Sequence, residues 1–172
     1  MRILLAGLAL LVALHAAPVL AKGHDDGKKS ATPAADPNVA ASKAHGGKVW
    51  IITSNPPSGE GQDLVKWLSS HPPAAEVTKK PSDERWPVTY LAVFKHPPAK
   101  GPLTIEFVDK KEPGVLVAQD SSQAPGGSLV FQEPYDLEAN NGFNKGHTYI
   151  VKVGQIIKKR FVTYATGEVT LK

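Results

Sequence analysis

The chain has 172 residues, 41% of them apolar and 21% charged, with a formal net charge of +4 and no cysteine. These figures exclude disulfide staples and a lipid-bearing cysteine. The mild basic excess is spread along the chain in short clusters such as Lys158-Lys159-Arg160, without the concentrated stripe or recognisable module that marks nucleic-acid binding.

Residues 1–21 read as an export signal. Arg2 supplies the positive n-region, Ile3 to Leu14 the apolar h-region, and Val19-Leu20-Ala21 small or aliphatic residues at −3 and −1 of a cleavage site. The rival reading is a retained membrane anchor, since no charge occurs from Ile3 to Ala21. His15 and Pro18 cut the continuous run short of the roughly 20 apolar residues a spanning helix needs. With Arg2 removed, the 20 basic residues become 19 against 16 acidic ones, a net of +3. The expected location is periplasmic or secreted, with no stable membrane insertion after cleavage.

Residues 22–47 hold mostly Lys, Asp, Ala, Ser, Pro, Gly and His, with Val39 the one large apolar side chain. Such a segment buries too little surface to offset its conformational entropy, so a disordered tether is expected. Residues 48–172 then form one domain of ordinary size.

Lys48 to Thr53 carries apolar residues on both faces, as in a strand covered on both sides or one whose wide Trp50 straddles an edge. Gln62 to Ser70 places Leu64, Val65, Trp67 and Leu68 at helical spacing, with Asp63 as N-cap, and Pro72-Pro73 stops it. Residues 72–85 read as loop. Strands resume at Trp86 and run through Lys95, then Leu103 to Val108, Val115 to Ala118 and Ser128 to Gln132, separated by Pro/Gly/Asn turns. Tyr149, Val151 and Val153 alternate with Ile150 and Lys152. Arg160 to Tyr164 and Val169 to Leu171 return as a second strand, with Gly154 to Lys158 as the connection. Strands about every ten residues predict an all-β antiparallel β-sandwich with one short helix.

Gly146-His147-Thr148-Tyr149-Ile150-Val151-Lys152-Val153 resembles the penultimate strand of fibronectin type III and related immunoglobulin-like domains. The resemblance covers the C-terminal half of the chain. It implies an immunoglobulin-like sandwich in which the Tyr149 ring packs into the core and its hydroxyl turns back to upstream backbone.

Candidates for chemistry are sparse. Ser58-Gly59-Glu60-Gly61 lacks a P-loop lysine, and no Gly-x-Ser-x-Gly elbow occurs. His71, His96 and His147 show no ligand spacing; the first two precede Pro-Pro and read as solvated turn residues. Asp83, Glu84, Asp109, Asp120, Glu133 and Asp136 fall mostly in expected turns, short of the paired carboxylates of a glycosidase. Among aromatics, Trp50 and Trp67 read as core, whereas Trp86, at a loop–strand junction, and Tyr135, in an expected loop, are candidate ligand-binding rings.

The resulting expectation is a non-enzymatic exported module acting by contact with another envelope or extracellular protein. A small carbohydrate-binding module using exposed aromatics is the alternative. No cofactor is expected, with one exception. Cleavage after Ala21 leaves Lys22-Gly23-His24 at the N-terminus, where an α-amine, two backbone amides and an imidazole close a square around Cu(II) or Ni(II), adventitiously or otherwise.

Overall fold

The computed structural model describes residues 36–79, 84–123 and 126–172. The expected signal, the cleavage site and Lys22-Gly23-His24 lie outside the described residues. Ala34–Lys172 is one compact unit, and among the described residues no helix is long and apolar enough to cross a membrane.

The unit is mostly β, as the alternation predicts. Its strands are β1 (Lys48–Ile52), β2 (Ala74–Val77), β3 (Arg85–Val93), β4 (Pro102–Asp109), β5 (Leu116–Gln123), β6 (Val130–Glu138), β7 (Thr148–Ile157) and β8 (Arg160–Leu171). Instead of the two separate sheets of the expected sandwich, they form one hydrogen-bonded path in the order β5-β4-β7-β8-β1-β3-β6, with β2 beside β8. The sheet curls into a half-barrel. Phe107 of β4 and Tyr135 of β6, from opposite halves of that path, stack with ring centroids 5.4 Å apart.

A parallel corner joins the halves. β1 meets β8 at Lys48↔Thr166, and the Thr166 N–H donates to the Gly47 carbonyl at 3.0 Å. Gly167 makes the approach feasible, because a Cβ there would lie 2.3 Å from the Val49 carbonyl oxygen. All other pairings are antiparallel except β2–β8, which is parallel from Ala74↔Glu168 to Val77↔Leu171. β2 falls inside the stretch expected to be loop; its pairing is non-local and leaves little trace in a four-residue run.

β1 is covered on both faces, the first of the two arrangements its composition allows. Val49 and Ile51 join the interior of the curl with Tyr90, Ile105, Tyr149, Val151 and Val169. Trp50 and Ile52 face the other way, against Leu64 and Leu68 of a helix, α2 (Gly61–Ser70). Glu60 holds the α2 N-cap position, while Asp63 stands in the first turn, where a negative charge favours the helix dipole.

A second helix, α1 (Val39–His45), corrects the expected single helix and, over residues 36–47, the expected tether; residues 22–35 lie outside the described residues. Ala41 is fully buried against Trp50 and α2. The Ser42 hydroxyl donates to the Phe94 carbonyl at 2.7 Å, and the Asp36 carboxylate accepts from the Leu129 N–H at 2.9 Å. Small residues suffice here because a short helix lying close to the sheet has little volume to fill. That is why composition alone suggests disorder.

The closing hairpin is longer than its apolar pattern. Its connection is Lys158-Lys159 alone, with Gly154 to Ile157 continuing β7. A register shift at Val153/Gly154 breaks the alternation there. Both lysines have positive φ, 50° and 64°. A two-residue hairpin turn of this kind favours Asn-Gly, and bulkier residues cost about 1 kcal/mol each.

Candidate functional site

Most sequence-selected aromatics prove structural. Trp86 is 2% exposed, and its indole N–H donates to the Lys172 carbonyl at 3.2 Å. Its ring is therefore closed to ligand stacking, contrary to the expectation. The reason is that β3 already begins at Arg85, so Trp86 takes an interior position instead of a junction. Tyr135 lies in β6, not in a loop, and is half-buried against Phe107 and Tyr90. Trp50 is buried, and Trp67 packs beside it, half-buried, with His71 stacked on it at 4.0 Å.

The polar groups divide into two places. Inside the curl, the Tyr90 hydroxyl donates to the Glu133 carboxylate at 3.2 Å. Burial, and then the Glu133 charge, push the Tyr90 phenol well above its usual range. Burial and the Asp120 and Glu138 charges raise Tyr135 as well. Both phenols thus stay neutral. At one end of the β4–β7 pair, the buried Asp109 accepts from Lys111 N–H at 2.8 Å and pairs with His147 Nδ1 at 2.5 Å. Burial raises the Asp109 carboxyl, but these hydrogen bonds outweigh it and hold the group below its ordinary value. His71 and His96 are exposed. Among the described residues, no three His, Asp or Glu side chains are grouped to hold a metal.

The free edges of the sheet differ. Among the described residues β6 pairs only β3 along its length, and it carries Pro134, Glu133, Asp136 and Glu138. A proline and charges of one sign are the usual guards against strand addition. Among the described residues β5 pairs only β4, and it is Leu-Val-Ala-Gln-Asp-Ser-Ser-Gln, with no proline and a single charge, Asp120. Val115 and Leu116, at its start, are 48% and 46% exposed.

Across the face of β5, β4 and β7, reaching this unguarded edge, lies a groove of about 560 Å³, lined by Lys100, Thr104, Gln119, Ser121, Ile156 and Ile157 among others. Its end is fixed by the nearly buried Gln155. The Gln155 amide donates to the Ala99 carbonyl at 2.9 Å, and its oxygen accepts from the Tyr164 hydroxyl at 3.0 Å. These bonds tie the 99–102 segment to the base of the β7–β8 hairpin. None of the groove residues except Asp120 stood out in sequence, because an edge is defined by the absence of a neighbour. The adjacent Ile156-Ile157 beside Lys158 was the one available signal: two aliphatics where a solvated connection would carry polar residues.

Compared with known proteins, the chain matches no family model, no curated protein and no solved structure.

Proposed function

We propose that the domain is a non-enzymatic binding module that receives an extended segment of a partner protein on the β5 edge. The carrying observation is the contrast between edges: β6 is guarded by Pro134 and three acids, while β5 is bare and flanked by the groove. In strand addition, main-chain hydrogen bonds supply affinity and adjacent pockets receive alternate side chains. Thr104, Gln119 and Ser121 give the groove polar contacts and Ile156 and Ile157 an apolar wall. An exported location and an envelope or extracellular partner accord with the Arg2-to-Ala21 signal pattern. The buried Tyr149 with its backbone-bonded hydroxyl supports kinship with immunoglobulin-like domains.

The test is a photo-crosslinking amino acid at Gln119 on β5 and, separately, at Gln132 on β6, both exposed. Polypeptide adducts in the expressing cells are expected from Gln119 and not from Gln132. Equal yields from both positions, or none from Gln119, would discard the β5 assignment.

A further inference from the structure

Beyond the sheet, the last part of the β7–β8 hairpin stands alone. β4 pairs with β7 only as far as Gly154, and β8 meets its other neighbours only from Thr166 onward. Among the described residues, Gln155↔Val162, Ile156↔Phe161 and Ile157↔Arg160 therefore have no other backbone strand partner, with the Gln155 side chain anchoring the base of the arm to Ala99. That makes an arm of about 10 Å at the usual rise per residue. Three of the six large apolar side chains exposed among the described residues lie on it: Ile156 at 58%, Ile157 at 40% and Val162 at 39%. Its apex is Lys158-Lys159-Arg160, and from His147 to Gly167 the chain has no acidic residue.

The register puts Ile156 and Phe161 on one face and Ile157, Arg160 and Val162 on the other, since side chains alternate along a strand. Phe161 is held over Gly154, where a Cβ would lie 2.9 Å from its ring. The apex lysines are the only non-glycine residues with positive φ among the described residues. The turn therefore accepts a local cost to place two cations at its tip, and such strain gathers where function requires it.

We propose that this arm is a peripheral docking element for an anionic phospholipid surface. A rigid protein partner covers one face of a two-stranded arm and leaves the other apolar face in water. A fluid headgroup layer closes around both faces. The three cations complement lipid phosphates, and their methylene stems and the neighbouring isoleucines enter the headgroup–acyl boundary together. The charge alone gives attraction; the aliphatic collar gives depth. This inference does not depend on strand addition at β5: Lys158→Asn/Lys159→Gly leaves both β5 and its groove unchanged, whereas Ile156→Ser/Ile157→Ser also removes the groove's apolar wall, so the lysine pair separates the two readings.

The test uses the chain from Lys22, which keeps the whole compact unit Ala34–Lys172 and omits the apolar leader. Sedimentation is measured with mixed phosphatidylglycerol–phosphatidylcholine vesicles and with pure phosphatidylcholine vesicles. Binding to the mixed vesicles, lost on the neutral ones and weakened by high salt, is expected. Lys158→Asn/Lys159→Gly removes two cations while giving the turn its preferred pair. It is expected to raise Tm yet lower partitioning about 25-fold, at about fivefold per cation near an anionic leaflet. Ile156→Ser/Ile157→Ser, with all cations kept, is expected to weaken binding about tenfold. Absence of binding to the anionic vesicles, or wild-type binding by either variant, overturns the proposal. Retention on polyglutamate with no vesicle binding would overturn it too, assigning the arm to an acidic polypeptide.

Discussion

Tyr149→Phe isolates one hydrogen bond. The Tyr149 ring is fully buried and packs edge-on against Phe143, with centroids 5.0 Å apart. Its hydroxyl accepts from the Asn144 N–H at 2.6 Å, and burial pushes its pKa up, so it stays neutral. The substitution keeps the ring and deletes the acceptor, leaving an amide unsatisfied in the segment between β6 and β7. An orphaned donor costs roughly 1–3 kcal/mol; relief from burying the hydroxyl itself returns part of this, so a net loss of about 1–2 kcal/mol is expected. For a unit of this size that is roughly 4–8 °C in Tm. Thermal melts and urea titration measure it, with the urea midpoint falling at unchanged slope. Amide exchange at Asn144 is expected to accelerate more than at Val151, because the segment opens locally before the sheet does. A Tm within about 1 °C of the parent would show that the Asn144 amide has another acceptor. The same result would remove the argument that Tyr149 pins this connection.

Starting the chain at Lys48 instead of Lys22 removes α1 and the Asp36, Asn38 and Ser42 bonds, so a loss of roughly 2–4 kcal/mol is expected in urea titration; equal midpoints would restore the tether reading. Gly167→Ala drives a Cβ toward the Val49 carbonyl and is expected to cost about 1–3 kcal/mol, read in the same titration; a neutral outcome would refute the close β1–β8 approach as the reason for glycine at 167. Asp109 has a folded pKa below its unfolded one, so its contribution is present above the unfolded value of about 3.9 and is lost as pH falls through the folded value. Asp109→Asn is therefore expected to flatten the decline of Tm below about pH 4, and an unchanged acid slope would refute the role given to the His147 pair. A chain beginning at Lys22 is expected to show the visible band of four-nitrogen Cu(II) ligation, abolished by His24→Ala or by one residue added before Lys22; absence of the band in the unaltered chain ends that proposal.

What the sequence determined by itself is what short-range physics encodes. The alternation of Tyr149, Val151 and Val153 set a strand and its buried face, because successive side chains of a strand point to opposite sides. Apolar residues on both sides of β1 announced two coverings, and helical spacing followed by Pro72-Pro73 placed α2 to within a residue. What the tertiary structure decided depends on neighbours distant in sequence. Trp86 became core because β3 starts before it. Ala41 and Ser42 became anchors because the back of β1 and β3 needed only a thin cover. β2 exists through its pairing with β8, and the two halves join in one sheet because Gly167 admits the Val49 carbonyl. The β5 edge and the β7–β8 arm are likewise places where pairing stops. A residue's own preferences report what it can pair with, whereas a missing partner is a property of the whole fold.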